Sequence, residues 1–183
     1  MQKLLFTALV TLFIGFTAYS QNTFTLESDN LGGNATKVEE FNGFGCTGTN
    51  VSPQLSWENA PEGTKSFAIT MYDPDAPTGS GWWHWVVFDI PADISEVAKN
   101  AGNLSSGLMP KGAIQSITNY GAAGYGGPCP PPGHGIHQYI ITIHALKVDK
   151  LGLNAETNPA TVGYYIWSNT LAKASIVTYY QRN

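Results

Sequence analysis

The chain has 183 residues, of which 43% are hydrophobic and 12% charged, with a formal net charge of -4. That is enough apolar material for one domain with one core, and it leaves few charges to spread over the exterior. Mild acidity without a basic run or basic amphipathic helix excludes the electrostatic footprint of a nucleic-acid binder, and no internal repeat or low-complexity block stands out.

The first residues, MQKLLFTALVTLFIGFTAYSQN, carry Lys3 ahead of an uncharged apolar run over residues 4–18. Ala18, Tyr19 and Ser20 then place small residues on the pattern of a cleavage site before Gln21. A bilayer span needs about 20 apolar residues, so the segment reads as a leader over 1–20 rather than an anchor. Residues 21–183 then form a single exported domain, periplasmic or secreted, with no stable membrane insertion after cleavage.

A short strand is expected over residues 24–27. Next comes the glycine-rich "GFGCTG" with Cys46, whose counterpart is Cys129 in "GGPCPP". Two cysteines in an exported chain invite pairing. Closing so long a loop constrains the unfolded state by about 4 kcal/mol on the chain-entropy model. "KSFAITMYD" over 65–73 alternates, with Phe67, Ile69, Met71 and Asp73 on one face. After the turn-forming "PTGSG" at 77–81, "WWHWVVFDI" over 82–90 is almost wholly apolar, as in a strand buried on both faces. Residues 91–102 fit either a short helix or an irregular connection. "HQYIITIHALKV" over 137–148 puts His137, Tyr139, Ile141, Ile143 and Ala145 on one face. Spacings of three and four predict a helix over 160–174, followed by a strand over 175–180. Two packed sheets with one C-terminal helix against an edge or face satisfy this order.

Two stretches hold chemistry. In "YGGPCPPPGHGIHQY" over 125–139 proline fixes φ while glycine permits close backbone approach. Gly126, Gly127, Gly133 and Gly135 are candidate N–H donors for an anion; the plainer alternative is a loop that only turns sharply. In "YDPDAPTGSGWWHW" over 72–85, Asp73 ends one strand and His84 starts the next, so the two can converge and Asp73 can orient the imidazole. Asp75 reads as a turn residue bonding the backbone just ahead of it.

These two stretches, together with "NGFGCTGTNVSPQLSWENAPEGTKSFAI" and "VGYYIWSNTLAKASIV", resemble the phosphatidylethanolamine-binding protein family in its bacterial Raf-kinase-inhibitor-like branch, over nearly the whole of residues 23–180. The resemblance implies a mainly β fold of two packed sheets with a small ligand pocket at one end. It assigns ligand binding to Asp73, Ala76, Pro77, His84, Pro131, Gly135, His137 and Tyr139. It also implies a cis Ala76–Pro77 bond and agrees with a Cys46–Cys129 disulfide. The proline-rich loop departs from the family's commoner forms and carries His134, which reads as an exposed loop residue. His144, on the opposite strand face from His137, reads as structural.

The expected function is non-enzymatic binding of a small anionic, phosphate-bearing molecule, with affinity rising from about pH 8 to 6 as histidines charge and make the pocket electropositive. A hydrolase using Asp73, His84 and His137 as acid and base is the alternative, with thin support because no serine or free thiol is placed as a nucleophile. A protein-interaction or inhibitor module is a third reading. No cofactor is expected. A metal site from Asp73, His84 and His137 lacks the close spacing typical of ligand motifs, so no metal is expected either.

Overall fold

The computed structural model describes residues 22–182; the leader assigned to residues 1–20 lies outside them. Among the described residues no helix is long and apolar enough to cross a membrane. The strands are β1 (Thr25–Glu27), β2 (Asn42–Gly43), β3 (Cys46–Thr47), β4 (Leu55–Glu58), β5 (Ser66–Asp73), β6 (Trp82–Pro91), β7 (Glu96–Val97), β8 (Ile114–Gln115), β9 (His137–Leu146) and β10 (Thr170–Tyr180). Helix α1 spans Pro159–Asn169.

A five-stranded sheet ordered β10-β9-β5-β6-β8 faces a three-stranded sheet ordered β1-β4-β7, with β2 and β3 paired separately. The alternation of β5 and β9 determines what lies between the sheets. Phe67, Ile69 and Met71 of β5, with Tyr139, Ile141, Ile143 and Ala145 of β9, share one buried cluster with Leu26, Leu55 and Trp57 of the small sheet. The other parity of the central strands is apolar too, because Ala68, Val86, Phe88 and Leu146 pack beneath Val162 and Ile166 of α1. Helix α1 therefore covers a sheet face. This double coverage is why β6 reads as a continuous hydrophobic run.

The helix begins with Asn158, whose side chain accepts from the Ala160 N–H, and Pro159 takes the first helical position. It stops at Asn169 rather than at residue 174. Ala172, Lys173 and Ala174 favour helix by propensity, but they pair in sequence with Ala145, His144 and Ile143 of β9. Sheet pairing along a buried strand overrides a weak local preference. Residues 91–102 form turns and the two-residue β7, without a helix. A disulfide joins Cys46 to Cys129 with the Cα atoms 6.0 Å apart, tying β3 to the proline-rich loop.

Candidate functional site

Three neighbouring strands end together. Strand β5 pairs with both β6 and β9, so Asp73 at the end of β5 lies beside the beginnings of β6 and β9, where His84, His137 and Tyr139 stand. The sequence alternation alone does not place His84. Met71 pairs with Trp85 and Tyr72 with Trp83, leaving His84 as the extra residue of a β-bulge. Trp83 packs toward the helix layer and Trp85 toward the other sheet. The bulge lets His84 turn to the same side as Asp73, which is how bulges re-aim side chains near sites.

These strand ends form the floor of a cavity of about 190 Å³, lined by Asp73, Ala76, Pro77, His84, Pro131, His137 and Tyr139. Gly135, assigned to the pocket by resemblance, does not line it. The remaining wall comes from Phe44, Thr78, Trp82, Tyr120, Cys129 and Pro130. None of these six is part of the sequence assignment. Trp82 was legible from its place two residues before His84, and Phe44 from its place two residues before a cysteine. Tyr120 carries no comparable signal. It enters because its ring stacks on Phe41 at 4.1 Å and meets Trp82 edge-on at 5.4 Å.

Asp73 holds a different histidine from the one expected. Its Oδ2 accepts from His137 Nδ1 at 2.8 Å and its Oδ1 from the Asp75 N–H at 2.8 Å. The local Asx bond is thus Asp73's, while the Asp75 carboxylate accepts from the Gln138 N–H at 2.9 Å. His84 turns instead to the glycine loop, where Nδ1 donates to the carbonyls of Gly126 at 2.7 Å and Gly127 at 3.2 Å. Carbonyls only accept, so Nδ1 carries the hydrogen, and Nε2, which no protein atom takes up, keeps its lone pair. Complete burial drives the His84 pKa down to about 4, against the opposing pull of the two carbonyls and Asp73. His84 is neutral at neutral pH, and it does not make the cavity electropositive.

The glycine loop is not an anion nest. The N–H of Gly126 donates to the His84 carbonyl, that of Gly127 to Asn50 Oδ1 and that of Gly133 to the Arg182 carbonyl. Three of the four candidate donors are therefore committed, and what the loop presents is carbonyl oxygen, to His84. The loop is well fastened. Besides the disulfide, the Arg182 guanidinium donates to the Pro130 carbonyl at 2.7 Å and the Gly45 carbonyl at 2.9 Å, and the Tyr120 hydroxyl donates to the Gly127 carbonyl at 2.9 Å. Its close packing needs glycine, since a Cβ on Gly127 would overlap the Glu39 carbonyl oxygen. Every peptide bond among the described residues is trans, Ala76–Pro77 included. The Thr78 N–H donates to the Ala76 carbonyl at 2.8 Å and closes the turn around a trans proline.

Two residues of the cavity wall carry a donor without a partner. Tyr139 Oη and Trp82 Nε1 are buried without a protein hydrogen bond, and both residues line the cavity. Tyr139 sits between the two histidines, its ring 5.0 Å from His84 and 6.4 Å from His137. Burial, and secondarily the charge of Asp73, push its phenol well above the ordinary value, so it stays a donor. His134 is exposed, as expected, yet its Nδ1 lies 2.7 Å from His137 Nε2. His144 lies on the opposite sheet face between the hydroxyls of Thr70 and Thr170, with burial holding its pKa down to about 4.

Among the described residues no group of three or more His, Cys, Asp or Glu is arranged to hold a metal ion. Asp73 stands behind His137 on Nδ1 rather than beside it as a co-ligand.

Comparison with known proteins places these observations. The family model described as phosphatidylethanolamine-binding protein matches residues 32–181. The chain is 44% identical over 181 residues to the UPF0098 protein YbcL of Escherichia coli (strain K12), covering 98% of each. It is 49% identical over 138 residues to the UPF0098 protein YbhB of the same strain, covering 74% of this chain and 85% of that one. The crystal structure of E. coli YbcL, described as a new member of the mammalian PEBP family, superposes with a TM-score of 0.85 over 87% of this chain and 99% of that one.

Proposed function

The chain belongs to the phosphatidylethanolamine-binding protein family, and within it we propose that the cavity at the strand ends binds a phosphate monoester in its singly charged form, without catalysis. Tyr139 O–H and Trp82 Nε1–H carry this function: two buried donors without protein partners belong to residues that line one small cavity. A buried donor left unpaired costs about 1–3 kcal/mol, and an oxygen-rich anion relieves both at once. His84 Nε2 offers a lone pair to the same space and calls for a hydrogen in return. A singly protonated phosphate has one to give, whereas a dianion would face that lone pair and the Asp73 carboxylate together.

Size supports a head group rather than a whole lipid. The 190 Å³ cavity is well below the roughly 300–1,000 Å³ of pockets that enclose drug-sized ligands. Binding without turnover fits the lining, because Cys129 is held in a disulfide and the Thr78 hydroxyl donates to the Gly81 carbonyl. The disulfide also fits an oxidising compartment and hence export.

Since the second pKa of a phosphate monoester is about 6, affinity rises as pH falls from about 8 to 6. This is the direction expected from the sequence, but the proton sits on the ligand instead of on His84. Calorimetric titration of methyl phosphate at pH 8, 7 and 6 tests this: tightening toward pH 6 supports it, and absence of binding at all three rejects it.

A further inference from the structure

His134 sits on the one ring nitrogen of His137 that could meet a ligand. His137 is buried, and its Nδ1–H is spent on Asp73. Its Nε2 faces His134 Nδ1 at 2.7 Å, with the rings inclined at 61°. At that separation the two nitrogens share a single hydrogen: two would collide, and none would set lone pair against lone pair. His134 itself is exposed between Gly133 and Gly135, both with positive φ and with open space where a Cβ would stand. Its ring can therefore swing away from His137 without disturbing the strands.

We propose that His134 and His137 form a two-histidine clamp that takes up one proton from solvent when an anion enters between them. The proposal rests on the phosphate reading of the cavity and adds to it a residue outside the assigned set. Before binding, the pair holds one N–H between two nitrogens. After binding, His137 Nε2 and His134 Nδ1 each carry a hydrogen directed at the anion, so one proton has been gained. The hydrogen bond between the two rings has been exchanged for two to the anion, and no other covalent bond of the pair has changed. The gain is required because a lone pair on either nitrogen would repel an anionic oxygen. The added positive charge falls on His137, against the Asp73 carboxylate already bonded to its Nδ1.

The surroundings of the pair are mixed in charge. Asp73 and Asp75 approach from the segment that ends β5. His84 stands on β6, and Tyr120 and Tyr139 are phenols held protonated by burial. Arg182, from the C-terminal segment, keeps its guanidinium on the Pro130 and Gly45 carbonyls. Of these groups only the two histidines share a hydrogen with each other, so only they can change their proton count by separating.

The test is calorimetric titration of methyl phosphate at pH 7.5 in buffers of different ionisation enthalpy, whose slope counts protons. Wild-type protein should take up close to two, one on the phosphate and one on the histidine pair. His137→Gln, which keeps a donor at that position but cannot take up the charge, should take up close to one. Equal counts in the two proteins overturn the clamp and leave the phosphate site standing, whereas absence of binding to wild type removes both. Nitrogen-15 imidazole spectra of the wild type give an independent readout: His137 Nε2 should gain a bound hydrogen on addition of methyl phosphate, and an unchanged Nε2 signal rejects the clamp.

Discussion

Replacing Tyr139 by Phe removes one oxygen atom from a side chain that is otherwise fully buried. The ring keeps its contacts with the core and with both histidines, so no cavity of consequence opens behind it. The removed hydroxyl has no protein partner. Relief of an unpaired buried hydroxyl should stabilise the ligand-free protein by about 1 kcal/mol, which raises Tm by roughly 2–4 °C for a domain of this size. Binding should respond in the opposite sense. A hydrogen bond to a charged group contributes about 1.5–3 kcal/mol, so methyl phosphate affinity should fall roughly 10- to 100-fold. Thermal unfolding without ligand and calorimetry with it, on the same preparation, measure the two effects. A less stable Tyr139→Phe protein that binds as tightly as the wild type would refute the reasoning, because it would mean that the hydroxyl serves the fold.

Gly127→Ala should unfold or strongly destabilise the loop, by about 3 kcal/mol or more in urea denaturation, because the added carbon meets a backbone carbonyl that cannot yield. Reduction of the Cys46–Cys129 disulfide should lower stability by up to about 4 kcal/mol and weaken methyl phosphate binding as well, since Cys129 lines the cavity. Stability should also depend on pH through His84. Its folded pKa lies near 4 against an ordinary value of 6.5, so the unfolded chain binds the proton first as pH falls. The stability of the neutral buried ring is complete above about pH 6.5 and is lost through the window down to about 4, amounting to about 3 kcal/mol. Urea midpoints from pH 7 to 4 should show this loss, and His84→Gln should flatten it, apart from the share that His144 contributes with the same sign.

The period-two alternation of β5 and β9 and the apolar run of β6 were legible because each reflects direct burial on one or both faces. The convergence of Asp73 and His84 was legible from consecutive strand ends, but that of His137 and Tyr139 with them only through the resemblance, since nothing local brings residues 73 and 137 together. Four features escaped for physical reasons. The bulge at His84 depends on the register between β5 and β6, which no single-strand pattern encodes. Both histidines flank Asp73, and the choice of His137 follows from the Gly126 and Gly127 carbonyls having already engaged His84. The helix end at Asn169 was hidden because Ala172–Ala174 favour helix locally but gain more by pairing with β9. The glycine N–H groups suggested an anion nest, yet fastening so tight a loop consumes those same groups.

The central claim is that an anion occupies the cavity and engages donors the protein leaves unpaired. The chain has five tryptophans, so a nitrogen-15 spectrum carries five indole signals, and Trp82→Phe identifies the one that matters. Addition of methyl phosphate at pH 6 should move the Trp82 Nε1–H signal downfield, as expected for a new charge-assisted hydrogen bond, while Trp57, buried between the two sheets, stays in place. A Trp82 signal unmoved at saturating methyl phosphate would contradict the account.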